Sequence, residues 1–240
     1  LFRSVGIVEE WNAVNGDSNY SSVSLLCHFD GPNNSTTFTD NSSSPKTLTA
    51  NGNIKISTAQ SKFGGSSLYN DGTTGYITIS SAQFSSFNFG TADFTIECWL
   101  YQISFSGDRV ITASFTTWAS SVNFYFATRA GTPNVLLFRA GDGLPISLVG
   151  NTAISANTWT HVAVSRVSGV TRMFVDGVMQ SATHTGSVNI GNSTQAVGIT
   201  AANNGTEGMT CYLDDLRFTK GVGRYTRSEE HTSELQSPCN

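Results

Sequence analysis

Charge is what this 240-residue chain has least of. Asp, Glu, Lys and Arg make up 12% of it, against the roughly 25% usual for soluble domains. Its 13 basic residues are scattered, which argues against a nucleic-acid partner, because a phosphate backbone needs clustered Lys and Arg. A formal net charge of −4 is too small to imply a basic partner. No apolar run approaches the about 18 residues of a membrane-spanning helix, so no membrane partner is expected. None of Cys27, Cys98, Cys211 and Cys239 sits in a CxxC or Cys/His zinc spacing. Each lies singly in or beside an apolar run and reads as a buried thiol. An initiator Met and a signal-peptide pattern are missing from the start, LFRSVGIVEEWNAVNG, so the chain is expected to be a piece of a longer protein. Helical periodicity is missing too.

What fills the space is Ser, Thr, Asn and Gly between short runs of period-two alternation. Residues 159–177, WTHVAVSRVSGVTRMFVDG, give two strands around Ser168-Gly169, followed by a turn at Asp176-Gly177. Strands are predicted over 23–29, 35–40, 47–57, 93–101, 109–114, 122–128, 135–139, 146–149, 187–190, 196–200 and 209–219. The segment SLYNDGTTGYITI predicts a hairpin with arms 68–70 and 76–79. In 93–101, DFTIECWLY, one face carries Phe94, Ile96, Cys98 and Leu100, and the other Thr95, Glu97, Trp99 and Tyr101. Strands recurring roughly every 8–12 residues with turn residues between them predict an all-β sandwich over residues 23–226. Residues 1–22 read as a linker or the end of a preceding module. Residues 227–237, RSEEHTSELQS, resemble a translated sequencing adapter. The tail 227–240 is therefore set aside as an expected artefact of a metagenomic fragment.

Five motifs, in order along the chain, carry a resemblance: LLCHFDG (25–31), KFGGSSLYNDGTTGYITI (62–79), FGTADFTIECWLY (89–101), WTHVAVSR…MFVDG (159–177) and LDDLRFTKGVGRYT (213–226). Together they resemble a laminin-G-like, pentraxin-related domain of the concanavalin A-like lectin/glucanase superfamily. The resemblance implies a jelly-roll sandwich of two curved antiparallel sheets. The stretches DSNYSSVSLL and LRFTKGVGRYT resemble versions in bacteriophage tail and virion proteins, which implies a virion or extracellular location. Such a fold does not fix a function.

The family also implies where chemistry would lie. Related glycoside hydrolases place paired carboxylates on one strand face, as acid and nucleophile. Here the comparable strand offers Glu97 without a second acid two or four residues on, so no enzyme is expected. A structural Ca²⁺ tying the first strand to the last would use Asp30 and Asp214, with Asp40 adding an oxygen. Glycan binding needs aromatic rings beside amides and carboxylates. Trp118, Asn123 and Tyr125 are one candidate group; Trp99 with Glu97 is another. The function expected is a non-catalytic carbohydrate-recognition or adhesion module of a larger phage virion or tail-fibre protein. Its partner would be a cell-surface polysaccharide, with other virion proteins as further partners. The alternatives are a structural virion domain making protein–protein contacts and a glycoside hydrolase relative.

Overall fold

A computed structural model describes residues 17–115, 122–191 and 194–227. Along the chain the strands are β1 (Val23–Cys27), β2 (Thr49–Asn51), β3 (Ile54–Ser57), β4 (Ser67–Asp71), β5 (Tyr76–Ile79), β6 (Phe94–Gln102), β7 (Asp108–Phe115) and β8 (Val122–Arg129). There follow β9 (Val135–Ala140), β10 (Ile146–Val149), β11 (Trp159–Val167), β12 (Val170–Val175), β13 (Val178–Thr185), β14 (Val197–Ile199) and β15 (Thr210–Lys220). They form two antiparallel sheets. One runs β13-β12-β11-β6-β15-β4-β3, with β1 also on β15; the other runs β10-β9-β8-β7-β14-β5-β2. The all-β jelly-roll expectation holds.

Alternation explains the core. On β6, Phe94, Ile96, Cys98 and Leu100 are buried against the second sheet, whose inward residues include Ile77, Ile79, Phe124, Phe126 and Phe138. Cys27, Cys98 and Cys211 are free buried thiols; burial pushes each thiol above its ordinary range. The long last strand organises its sheet. β6 lies along one edge of it, while β4 takes Thr210–Leu213 and β1 the later part of its other edge. A bulge between Asp214 and Arg217 separates the two halves, with Asp215 at φ 46°.

Three readings need correction. Residues 68–70 and 76–79 are not a hairpin: β4 pairs with β3 and β15, whereas β5 pairs with β2 and β14 in the other sheet. Leu68 and Ile77 enter the core from opposite sheets. Asn70 fixes the crossing by donating to the Gly75 carbonyl at 2.7 Å and to Thr200 Oγ1 at 3.0 Å. Residues 35–40 are not a strand, because side-chain chemistry replaces a ladder. Asp40 accepts the Leu26 N–H at 3.0 Å, and Asn41 N–H donates to the Leu26 carbonyl. Residues 187–190 contribute one bridge, Gly90 to Ile190. There the buried Arg166 guanidinium donates to the carbonyls of Gly90, Ala92 and Val188. The strand β13 was not read from the sequence: its outward Val178, Ser181 and Thr185 weaken the apolar half of the pattern.

Candidate functional site

The outward face of the first sheet carries a row of rings. Strand register sets Lys55 (β3) opposite Tyr69 (β4), Tyr69 opposite Tyr212 (β15), Tyr212 opposite Tyr101 (β6), and Tyr101 opposite Trp159 (β11). Each occupies the polar phase of its strand; Leu68, Leu100 and Leu213 beside them turn into the core. All five are half-buried. Ring centroids are 4.9 Å apart for Tyr69–Tyr212, 5.7 Å for Tyr212–Tyr101 and 5.5 Å for Tyr101–Trp159. Edge and tilted contacts of this kind hold rings in fixed orientations. The result is a ridged aromatic strip across four adjacent strands, with the Lys55 ammonium 5.9 Å from the centre of the Tyr69 ring.

Trp99 forms a second rank. It lies two residues from Tyr101 on the same face, packs edge-on to Phe63 at 5.9 Å, and carries the Lys62 ammonium 3.9 Å from its ring centre. Its neighbour on β11 is His161, 5.3 Å away. The sequence reading had placed Trp99 on this face. Sequence pattern does not single out Tyr69, Tyr212 or Trp159 as ligand residues. Tyr69 and Tyr212 each lie between two buried residues, which is a readable signal; that the rings align across strands is not.

Glu97 is on the same face but is not available to a ligand. It is 6% exposed, beneath residues 222–225. The chain there crosses β6 and β11 through Arg224 N–H to Thr95 Oγ1 at 2.9 Å and Tyr225 N–H to Ser165 Oγ at 3.3 Å. The Glu97 carboxylate meets Arg224 Nε at 3.0 Å and His161 Nε2 at 3.5 Å, and accepts from the Tyr225 hydroxyl. Burial pushes its carboxyl up, but the His161 hydrogen bond, Arg224 and Tyr225 together hold it below the usual range. Asp17 pairs with Arg217 and Arg224 at the edge of this network. As a ligand-binding residue, Glu97 is corrected to a structural acid.

The other proposed group does not form a surface. Trp118 lies outside the described residues. Asn123 and Tyr125 are 1% and 0% exposed; Tyr125 belongs to a small cluster on the outward side of the second sheet with Val110, Phe115 and Ala202. Asn123 donates to Ser114 Oγ at 3.0 Å, and the Tyr125 hydroxyl donates to Glu207 Oε2 at 2.7 Å. Burial raises Glu207 above the ordinary carboxylate range, with nearby Asp108 adding to the shift against the Tyr125 hydrogen bond. Asp108 is itself forked by Arg129 at 3.1 and 3.2 Å.

The acids expected to bind calcium do not fit that ion. Both Asp40 oxygens face donors: the N–H groups of Leu26 and Ser42 on one, and the Ser42 hydroxyl and Lys46 N–H on the other. Asp214 accepts the N–H groups of Lys62, Phe63 and Asp215. A carboxylate ringed by N–H groups presents positive dipole ends where a cation would sit. Asp30 has its carboxylate against Gly64 and lines a cleft of about 130 Å³ with His28, Phe38 and Ile56. Among the described residues no group of three or more His, Cys, Asp or Glu is placed to hold a metal ion. Asp215 turns instead to the His28 ring.

Comparisons with known proteins bear on the fold. A family model described as the concanavalin A-like lectin/glucanases superfamily matches residues 71–222. No curated protein matches by sequence. Among solved structures, the binding domain of Paraclostridial Mosquitocidal Protein 1 superposes with a TM-score of 0.65 at 14% identity, over 91% of this chain and 52% of that one. Domain 4 of AbnA, a GH43 extracellular arabinanase from Geobacillus stearothermophilus solved in complex with arabinotriose, gives 0.60 at 16%, over 84% of this chain and 94% of that one. The binding domain of botulinum neurotoxin serotype G gives 0.60 at 12%, over 86% and 49%. The chain thus spans about half the length of these toxin binding domains.

Proposed function

Since the chain belongs to the concanavalin A-like lectin/glucanases superfamily, we propose that it is a non-catalytic carbohydrate-recognition module whose sugar-binding face is the strip Tyr69–Tyr212–Tyr101–Trp159. The observation that carries this is the registered row of half-exposed rings. Aromatic faces stack on the C–H faces of sugar rings, and their hydroxyls and indole N–H supply hydrogen bonds at the rim. A row across four strands suits several consecutive units of an extended chain better than one sugar. The partner is a cell-surface polysaccharide, and the module works within a larger protein of the phage virion or tail-fibre type. The stretches DSNYSSVSLL and LRFTKGVGRYT support that setting by their resemblance.

The non-catalytic reading rests on the acids of this face. Glu97 is enclosed by Arg224, His161 and Tyr225. Glycoside hydrolysis needs two free carboxyls about 5–9 Å apart across a sugar, whereas Glu97 is committed to this enclosed network and Asp71 to Thr73 and Asn53. That Domain 4 of AbnA was solved with arabinotriose supports an oligosaccharide as ligand for this architecture.

Native electrophoresis through gels containing single polysaccharides tests the proposal. Retardation by at least one polymer is expected, lost in Tyr101→Ala and Tyr212→Ala while circular dichroism is preserved. Equal retardation of wild type and variants would move the site elsewhere. No retardation by any polymer would return the strip to the competing reading, a contact surface for another protein.

A further inference from the structure

Two lysines border the aromatic strip, and among the described residues neither has a carboxylate within ion-pair distance. The Lys55 ammonium stands 5.9 Å from the centre of the Tyr69 ring, at the end of the row. The Lys62 ammonium stands 3.9 Å from the centre of Trp99 and 5.8 Å from that of Phe63. Arg217 and Arg224 on this face pair with Asp17 and Glu97, and Arg172 lies away from the strip on β12, donating to the Val170 carbonyl. The nearby acid Asp71 is already engaged. Its carboxylate accepts from Thr73 N–H and Thr73 Oγ1 on one oxygen and from Asn53 Nδ2 on the other, so it stays charged and turned to its own turn.

Resting on the carbohydrate-binding reading, we infer that the strip selects anionic polysaccharides, with Lys55 and Lys62 as the groups that recognise the acid. An ammonium has three N–H donors, so one that rests on a ring face keeps others for an oxygen acceptor. A carboxylate or sulfate on a sugar stacked over Tyr69 or Trp99 would therefore be the stronger partner. The two lysines lie at different places on the strip, so a chain with a repeating acid meets both while its sugar rings cover the aromatics between. The chain's net charge of −4 does not oppose this at short range, because exposed charges beyond about 10 Å are largely screened at 0.1 M salt.

The test pairs each acidic polymer with its neutral counterpart. Polygalacturonate, alginate and hyaluronate are compared with their carboxyl-reduced forms, and dextran sulfate with dextran, by biolayer interferometry on immobilised polymer. The uronate and sulfate arms show which acid group is preferred. Tighter binding of the acidic member in at least one pair is expected, with the preference falling as salt rises. Lys55→Gln and Lys62→Gln should each reduce the acidic-to-neutral ratio by about fivefold, the scale of one exposed charge pair. Lys55→Arg and Lys62→Arg should keep the ratio. Equal binding of both members of every pair, abolished by Tyr212→Ala, overturns the charge selectivity and leaves the aromatic site standing. Absence of binding to every polymer, neutral ones included, overturns both.

Discussion

At the scale of single residues, the buried acids divide into two kinds with opposite pH behaviour. Glu97 is held below the usual carboxylate range, so its stabilising effect is complete above that range and fades as pH falls through its lowered folded value. Glu97→Ala should cost about 3 kcal/mol in urea unfolding at pH 7, the low end for a broken buried ion pair because Arg217 and Arg224 keep some water. That cost should shrink toward pH 3. Asp214 behaves in reverse. Burial first, with Asp215 nearby, outweighs three N–H donors and pushes it up to about 7. Its contribution is complete below the ordinary value of about 3.9 and is lost as pH rises through about 7. The melting temperature should therefore decline between about pH 4 and 7 and level off above 7, and Asp214→Asn should flatten that decline. Because Asp40 and Asp214 face N–H groups rather than a common cavity, a chelator should leave the melting temperature unchanged. A clear drop would restore the calcium reading. The carboxylates were visible in the sequence, but their hydrogen-bond partners were not. Asp40 looks the same on paper whether it meets a cation or the Leu26 N–H.

Elements show what alternation can and cannot reveal. Strand β6 was readable to within a residue, because its inward and outward residues differ in kind. The aromatic strip was not, since it needs Tyr69, Tyr101, Trp159 and Tyr212 from four strands in matching register. Register depends on pairings between residues up to 143 positions apart, as for Tyr69 and Tyr212. The supposed hairpin at 68–79 failed for a related reason: Asp71-Gly72 does turn the chain, but a turn does not say which sheet receives the next strand. The crossing segment at 222–225 is equally silent in sequence. It passes so close to β11 that a Cβ on Gly223 would fall 2.2 Å from the Arg166 carbonyl oxygen. Gly223→Ala should lift it from Glu97 and lower stability by about 1–3 kcal/mol, the range for forced overpacking. Faster hydrogen exchange at Arg224 and Tyr225 would report the detachment. An unchanged exchange rate would mean that this contact does not hold the segment.

For the molecule as a whole, the sandwich separates work between its two outward faces. The second sheet closes its face over Tyr125 and Phe115 with the turn carrying Glu207. The first leaves its rings half-open and anchors both ends of the described chain beside them through Asp17 and Arg224. A ligand on that sheet would meet a surface stiffened by strand pairing rather than a loop that must be ordered, which lowers the entropic cost of binding. The family and its architecture were legible from spaced motifs. The row of rings proposed to bind was legible only at its neighbour Trp99, and the other group singled out, around Asn123 and Tyr125, is enclosed.

Hydroxyl-radical footprinting with a bound polysaccharide compares the two faces in one experiment. Tyr69, Tyr101, Trp159 and Tyr212 should be protected together when ligand is added, while Tyr76, on β5 of the other sheet, keeps its reactivity. Protection confined to Tyr76 and residues 122–129, with the four rings of the strip unchanged, would contradict the assignment of the sugar-binding face.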